Sequence, residues 1–272
     1  MAEHACPGAI LHYDQHGEGP DVLWLSGGDE PGAVWHEDQV PFFRDEFRCT
    51  TYDARGAGRT RSLDPPPWSP ALYAADAVSL IRAVCAPPVV LVGLSMGSMI
   101  AQQIALDHPE LVRCAVLLGT AGRSTGFLDE WMRSEVEFRR GGGKMTPAFA
   151  TTHYGAFCYP PEVLGDAELW ARLRRRVADD YAERDGEGLA AQWQACIDFD
   201  SLPRLPACQV PLHVIAGTHD MQTPPAHGRL VAETAANGHF HLFEGLAHLS
   251  IYGHAHDTLN PFIRDLARRY TR

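Results

Sequence analysis

The feature that most constrains the fold is the pentapeptide Gly-Leu-Ser-Met-Gly at residues 93–97. It follows a four-residue apolar run at 89–92 and precedes a helical pattern at 98–106. A G-x-S-x-G sequence between a buried strand and a helix is typical of a sharp turn that holds a serine hydroxyl above the edge of a sheet. The two glycines let the flanking elements approach closely. The pattern therefore predicts that Ser95 is a nucleophile, because a purely structural turn would not need a serine at its apex.

Short β-branched runs alternate with helical patterns over much of the chain. Strands are predicted at residues 9–15, 21–25, 47–52, 89–92, 114–118, 212–216 and 240–243. Helices are predicted at residues 69–84, 98–106 and 260–270. This alternation predicts an α/β fold in which a mostly parallel sheet has helices on both faces.

The strand signals stop between residue 120 and about residue 206, where the sequence is helical and rich in aromatic residues. We predict that residues 1–120 and 207–272 form the core and that 121–206 form a helical lid. In parallel α/β sheets, ligands bind at the carboxyl ends of the strands, so the lid is expected to cover that edge. Five lid aromatics are candidate substrate-binding residues for a largely apolar small molecule: Phe127, Trp131, Tyr154, Phe157 and Trp193.

The charge balance and the cysteines narrow the class of protein. A formal net charge of −11 disfavours binding to nucleic acid or to an anionic membrane surface. The first 15 residues lack the basic and apolar regions of a signal peptide, and no apolar run approaches the roughly 20 residues of a membrane helix. Seven scattered cysteines without a C-x-x-C pair are typical of reduced thiols. We expect a cytoplasmic protein whose partner is a small-molecule substrate, and the sequence leaves its oligomeric state open.

A serine nucleophile needs a base and a group that orients the base. His248 lies in a G-x-x-H turn after a predicted strand, and Asp220 follows the strand predicted at 212–216. We predict that Ser95, Asp220 and His248 act together. The sequence His-Ala-His-Asp at 254–257 could suggest a metal site, but further ligands are not evident, and a solvated helix start is the preferred interpretation.

With these motifs the chain resembles the α/β-hydrolase superfamily over residues 9–270. Besides the nucleophile turn, the resemblance rests on Leu-Ser-Gly-Gly at 25–28, Asp-Ala-Arg-Gly-Ala-Gly-Arg-Thr at 53–60, Gly-Thr-His-Asp at 217–220 and Gly-Leu-Ala-His at 245–248. It implies an eight-stranded, mostly parallel sheet with a helical lid, and a chain order of serine, acid and histidine that this sequence follows. Some members place the acid after the preceding strand, but residues 118–122 offer no carboxylate there.

The resemblance also implies an oxyanion hole. Its donors would be the backbone N–H groups of Met96 and Gly28, although Ser26 stands where members usually carry a histidine. Asp53 and Arg55 are expected to hold the loop beside the site rather than to take part in chemistry.

These features predict a serine hydrolase that cleaves a carboxylic ester or lactone through an acyl-enzyme, with no metal or cofactor. Similarity to other members of the superfamily leaves open two further activities, carbon–carbon bond hydrolysis and cofactor-free haloperoxidase-like chemistry. A non-catalytic binding protein with the same fold is the alternative outside enzymes.

Overall fold

The computed structural model describes residues 2–182 and 186–271 and contains a nine-stranded sheet. The strands are β1 (Ala2–Cys6), β2 (Ala9–His16), β3 (Asp21–Leu25), β4 (Arg48–Tyr52), β5 (Arg61–Ser62), β6 (Val89–Leu94), β7 (Val112–Leu118), β8 (Leu212–Gly217) and β9 (Gly238–Phe243). Eight of them form a continuous path in the order β1-β2-β4-β3-β6-β7-β8-β9, and β5 pairs with β2. Pairing is parallel from β4 through β9, which confirms the mostly parallel sheet.

The antiparallel edge of the sheet contains strands that were not expected from the sequence. β1 pairs with β2, and β2 pairs with both β4 and the two-residue β5. The sequence did not predict β1 or β5. β1 is short and mostly exposed, so it lacks the run of buried apolar residues by which the inner strands were found.

The central strands are buried at every position in β3, β6 and β8. Strands without an exposed face require cover on both sides, which agrees with a sheet flanked by helices. The helices are α1 (Val40–Phe43), α2 (Pro70–Val84), α3 (Met96–Asp107), α4 (Phe127–Arg140), α5 (Pro147–Cys158), α6 (Pro161–Gly165), α7 (Ala167–Ala182), α8 (Gly186–Asp198), α9 (Pro225–Thr234) and α10 (His256–Thr271). Three short 3₁₀ turns lie at Gly32–His36, Pro109–Leu111 and Leu205–Ala207. Within the described ranges, none of the helices combines the length and apolarity that crossing a membrane would need.

Helices α4 to α8 all lie between β7 and β8 in the chain, in the region where a lid is predicted. The two ends of this insertion meet, because the Ser201 N–H donates to the Gly122 carbonyl oxygen at 2.8 Å and Arg123 bridges to Asp200. The chain thus leaves the core and returns to it at neighbouring points. A lid function for residues 121–206 stays a prediction, and residues 183–185 of that stretch lie outside the described residues.

All seven cysteines are free, and five of them are buried. Burial raises the pKa of the Cys49 and Cys114 thiols to about 12. Both thiols therefore stay protonated near neutral pH and pack in the sheet as small apolar groups.

Candidate active site

Ser95 occupies the tight turn that the pentapeptide predicts. It follows the last residue of β6 and is the N-cap of α3, with φ +52° and ψ −119°. Its N–H donates to the Leu118 carbonyl oxygen of the neighbouring strand at 2.9 Å. A Cβ on Gly97 would overlap the Leu25 carbonyl oxygen, and one on Gly93 would overlap the Gly97 carbonyl oxygen. The serine is held in a strained conformation by close backbone packing that glycine alone permits.

His248 and Asp220 form a buried pair next to this turn. The Nδ1 atom of His248 lies 2.8 Å from Oδ2 of Asp220, and the two residues are 5% and 4% exposed. Asp220 Oδ1 accepts hydrogen bonds from the backbone N–H groups of Gln222 and Thr223 at 3.0 and 2.8 Å. The Thr223 hydroxyl donates to Asp220 Oδ2 at 2.9 Å. An acid fixed by so many donors can hold the histidine in one orientation and one tautomer.

The segment after β7, where some members of the superfamily carry the acid, supplies space for His248 rather than a carboxylate. Gly119 has φ +53°, and a Cβ there would lie 2.8 Å from Cε1 of His248. The next residue, Thr120, accepts hydrogen bonds at 2.7 Å from Ser98 and Gln102, which lie on α3. The segment where some family members carry the acid is therefore, in this structure, the surface against which the His248 imidazole packs.

The loop after β3, residues 26–31, carries the predicted oxyanion donor Gly28, and we call it the oxyanion loop. The Gly27 N–H donates to Glu30 Oε2 at 3.2 Å, and the Asp29 N–H donates to Gln192 Oε1 from α8. Asp29 adopts φ +64°, so the loop backbone is tightly constrained around Gly28. The other predicted donor, Met96, is the first residue of α3, where a backbone N–H has no partner inside the helix.

Ser26 supplies different contacts from the histidine that the family pattern has at this point. Its hydroxyl accepts a hydrogen bond from Trp35 Nε1 at 3.0 Å and donates to the Pro31 carbonyl oxygen at 3.3 Å. These bonds tie the start of the loop to the 3₁₀ turn that follows it. The loop is therefore anchored by a small hydroxyl and a buried indole.

Ser95 and His248 line the same small cavity, of about 30 Å³. The other lining residues come from the end of β6, the loop after β3, the insertion and the loops around Asp220 and His248: Gly27, Gly28, Glu30, Leu94, Trp131, Tyr154, Cys158, Trp193, Gln222 and Leu249. This volume holds a few water molecules, whereas pockets for drug-sized ligands measure roughly 300–1,000 Å³. The space between Ser95 and the insertion is therefore smaller in this structure than a typical ligand pocket.

The predicted aromatic residues divide into two groups. Trp131, Tyr154 and Trp193 line the cavity. Phe127 and Phe157 are not among its lining residues; Phe127 is 53% exposed and stacks on Phe157, with 5.9 Å between ring centroids. The insertion thus presents two indoles, a phenol and the Cys158 thiol to the cavity, and the two phenylalanines lie outside its lining.

Sequence reasoning missed two residues that the structure brings to the site, Glu30 and Gln192. Glu30 lies only two residues from Gly28, so its carboxylate could have been noticed as a neighbour of the oxyanion loop. Gln192 contacts that loop across 163 residues of chain, and no motif marks it. Its Nε2 also donates to the Arg55 carbonyl oxygen at 2.7 Å, so one side chain joins α8 to two core loops.

Other histidines that could compete with His248 lie away from this cavity. Burial lowers the pKa of His213, which lies 3.1 Å from His241, to about 3 and that of His254 to about 4, so both rings are neutral near pH 7. His254 packs against the Tyr159 ring. Among the side chains that the structure describes, in residues 2–175 and 186–271, no three from His, Cys, Asp or Glu are grouped so that they could hold a metal ion.

Comparisons with known proteins identify the family to which the fold is similar. The profile described as "Alpha/beta hydrolase family" matches residues 16–260. A Mycobacterium tuberculosis protein named "Putative non-heme bromoperoxidase BpoC" is 31% identical over 261 residues, covering 89% of this chain and 92% of that protein. Its crystal structure superposes with a TM-score of 0.90 at 27% identity, covering 96% of this chain and 97% of that one. The 3-oxoadipate enol-lactonase 2 of Acinetobacter baylyi is 25% identical, covering 88% of this chain and 86% of that protein.

Proposed function

The chain belongs to the alpha/beta hydrolase family, and on that basis we propose that it is a serine hydrolase that cleaves a carboxylic ester or lactone. The observation that carries the proposal is the buried pair of His248 and Asp220, 2.8 Å apart, beside a cavity that Ser95 also lines. A base oriented by a buried acid, next to a serine on a strained turn, is the arrangement that makes a hydroxyl nucleophilic.

In the first half-reaction, His248 accepts the proton of Ser95 while the serine oxygen attacks the carbonyl carbon. Asp220 keeps the other imidazole nitrogen protonated and stabilises the imidazolium that forms. The imidazolium then gives its proton to the leaving alcohol, and the acyl group remains on Ser95. In the second half-reaction, His248 takes a proton from water, which attacks the acyl-enzyme and restores the serine.

The negative charge on the tetrahedral oxygen requires donors that are already in place. We assign this role to the backbone N–H groups of Met96 and Gly28. The positive end of the α3 dipole lies at Met96 and adds to the stabilisation. In well-studied hydrolases, loss of one such donor costs about 2.7–4 kcal/mol of transition-state stabilisation.

Relatives favour a second candidate that uses the same acyl-enzyme. The similarity to a protein named as a non-heme bromoperoxidase suggests that hydrogen peroxide could replace water as the second nucleophile. Attack by peroxide would release a peroxyacid, which can then oxidise bromide. Both reactions share the first half-reaction, so they are separated only by the nucleophile that accepts the acyl group.

A substrate panel combined with labelling of the nucleophile tests the proposal. We expect a fluorophosphonate to modify Ser95, as read by peptide mass spectrometry, and we expect turnover of at least one aryl ester or lactone. Addition of peroxide and bromide with a halogen acceptor tests the second candidate. Turnover of a vinylogous diketone with no cleavage of any ester or lactone would instead identify a carbon–carbon bond hydrolase. Absence of both labelling and turnover would indicate a binding protein.

The Gln192 side chain provides a separate prediction. Gln192→Leu removes the acceptor of the Asp29 N–H and the donor to the Arg55 carbonyl oxygen, so the oxyanion loop loses its link to α8. We expect kcat to fall about 10- to 100-fold with a smaller change in KM. A displaced donor stabilises the transition state less well, whereas binding of the ester in its ground state depends less on that donor. Steady-state kinetics on the best ester of the panel measure this split.

Two further variants test whether Gln192 acts by positioning the oxyanion loop. Gln192→Glu keeps a carboxylate oxygen to accept from the Asp29 N–H and should recover part of the lost kcat. Gln194→Leu removes the hydrogen bond to Asp198 on the outer side of the same helix and should leave kcat unchanged. Equal losses in the two leucine variants would show that the effect comes from α8 as a whole.

A further inference from the structure

We propose that Ser98 is a positioning residue whose hydroxyl holds the peptide between Ser95 and Met96, so that the Met96 N–H points at the substrate oxygen. The inference rests on the proposed function, in which that N–H is an oxyanion donor. Ser98 is fully buried and lies on α3, within one turn of the nucleophile.

One planar peptide unit contains both the Ser95 carbonyl and the Met96 N–H. In a trans peptide these two groups point in opposite directions, so fixing the oxygen also fixes the N–H. The Ser95 carbonyl oxygen accepts hydrogen bonds from the Ser98 N–H at 2.9 Å and from the Met99 N–H at 3.3 Å, and it therefore points into α3. The Met96 N–H consequently points out of the N-terminal end of the helix, where Ser95 lies.

The Ser98 hydroxyl adds a third contact to the same carbonyl oxygen. Its Oγ atom lies 2.5 Å from that oxygen, which is shorter than either backbone bond. Serine hydroxyls inside helices often bond to a carbonyl of the preceding turn. In this chain that carbonyl belongs to the strained residue Ser95, and a strained turn persists only where the surrounding contacts determine it. The Ser98 side chain thus opposes rotation of the peptide that carries the donor.

A buried series of side chains holds the Ser98 hydroxyl in place. Its Oγ lies 2.7 Å from Thr120 Oγ1, which also accepts a hydrogen bond of 2.7 Å from Gln102 Nε2. Two hydroxyls can bond in either direction, so Ser98 can accept from Thr120 and give its single proton to the carbonyl. Gln102 Nε2 also donates to the Ala121 carbonyl oxygen at 3.1 Å, and its Oε1 accepts from the Ser201 hydroxyl at 2.7 Å.

This series joins the nucleophile turn to the base of the insertion. Ala121 and Ser201 lie where the insertion leaves the core and returns to it. Ser98, Thr120, Gln102 and Ser201 are each at most 2% exposed. Because water does not compete for these hydrogen bonds, each one restrains its neighbours more strongly than an exposed bond would.

Ser98→Ala tests the proposal with the full-length protein. The variant removes one hydroxyl and leaves both backbone bonds to the Ser95 carbonyl oxygen, so the fold should be kept. We expect kcat for the best ester of the panel to fall about 10-fold with little change in KM, less than the roughly 10²–10³-fold loss caused by removing a donor outright. Turnover by wild-type protein with an unchanged kcat in Ser98→Ala overturns the proposal and leaves the proposed function intact.

A double-mutant cycle tests whether Gln102 supports Ser98. Gln102→Leu removes the amide from the buried series, and we expect kcat to fall about 3-fold. In a Ser98→Ala background the same change should have no further effect on kcat, because the connection to the nucleophile is already broken. Gln103→Leu removes a hydrogen bond on the exposed side of α3 and should leave kcat unchanged. Losses that simply multiply in the double variant would contradict support through Ser98.

An NMR experiment tests the restraint on this peptide without any turnover. The dipeptide Ser-Met occurs only at residues 95–96 and 98–99, so labelling serine carbonyls with ¹³C and methionine amides with ¹⁵N gives two correlation signals. Ser95→Ala removes the first signal and Ser98→Ala removes the second, which assigns both. In Ser98→Ala we expect the Ser95 carbonyl carbon to move upfield, because it has lost a hydrogen bond.

The NMR result separates this proposal from the proposed function. If wild-type protein turns over no ester but the Ser95 carbonyl signal moves in Ser98→Ala, hydrolysis fails and positioning of the peptide by Ser98 stands. A signal that keeps its wild-type position overturns the positioning role, whether or not esters are cleaved.

Discussion

Replacing Ser95 with alanine is expected to lower kcat for the best ester at least about 10⁴-fold while the protein remains folded. The hydroxyl is the attacking group in the proposed mechanism, so only binding and the oxyanion donors would remain to accelerate the reaction. The backbone at residue 95 is already strained at φ +52°, and alanine inherits that conformation without an additional clash. Stopped-flow or extended steady-state assays measure the loss, and circular dichroism and the melting temperature check the fold.

Asp220→Asn tests the same mechanism at the acid that orients His248. An asparagine amide placed against His248 Nδ1 favours the wrong tautomer, and we expect kcat to fall about 10⁴-fold.

Ser134→Ala removes a hydroxyl that bonds within α4 and serves as the matched control for Ser95→Ala, with kcat unchanged. A Ser95→Ala variant that keeps more than a tenth of wild-type kcat would show that another residue is the nucleophile.

The position of Ser95 was predictable from sequence because the turn is encoded locally. A buried strand, two glycines that admit backbone packing and a helix start all lie within about 20 residues of each other. The placement of His248 and Asp220 near this turn was predictable for a related reason, since each lies in the loop that follows a recognisable parallel strand. Parallel strands place their carboxyl ends at one edge of a sheet, so residues distant in the chain arrive at the same place.

The contacts made by the insertion were not predictable in this way. Trp131, Tyr154 and Trp193 reach the cavity while Phe127 and Phe157 do not, and all five are aromatic residues in helical segments. Which side of each helix faces Ser95 depends on how five helices pack on one another, and periodicity does not specify that packing. Gln192 contacts the oxyanion loop for the same reason, through a tertiary arrangement without a local signature.

Replacing Arg55 with alanine is expected to lower the free energy of unfolding by about 3–5 kcal/mol. Arg55 is fully buried, and its guanidinium binds both oxygens of Asp76, at 2.6 and 3.0 Å, as well as the carbonyl oxygens of Pro7 and Gly8. Asp76 is 3% exposed, so the variant leaves a buried carboxylate without its cation. Urea unfolding followed by tryptophan fluorescence measures the loss.

Two further variants show whether the buried charge causes this loss. Arg61→Ala breaks an exposed pair with Glu3, in which the side chains are 59% and 55% exposed, and should change stability by less than about 1 kcal/mol. The double variant Arg55→Met/Asp76→Leu removes both charges and should recover a large part of the stability lost in Arg55→Ala. Recovery stays incomplete because the carbonyl oxygens of Pro7 and Gly8 still lack their donor. A double variant as unstable as Arg55→Ala would mean that these two backbone bonds, and not the ion pair, hold the turn between β1 and β2 against α2.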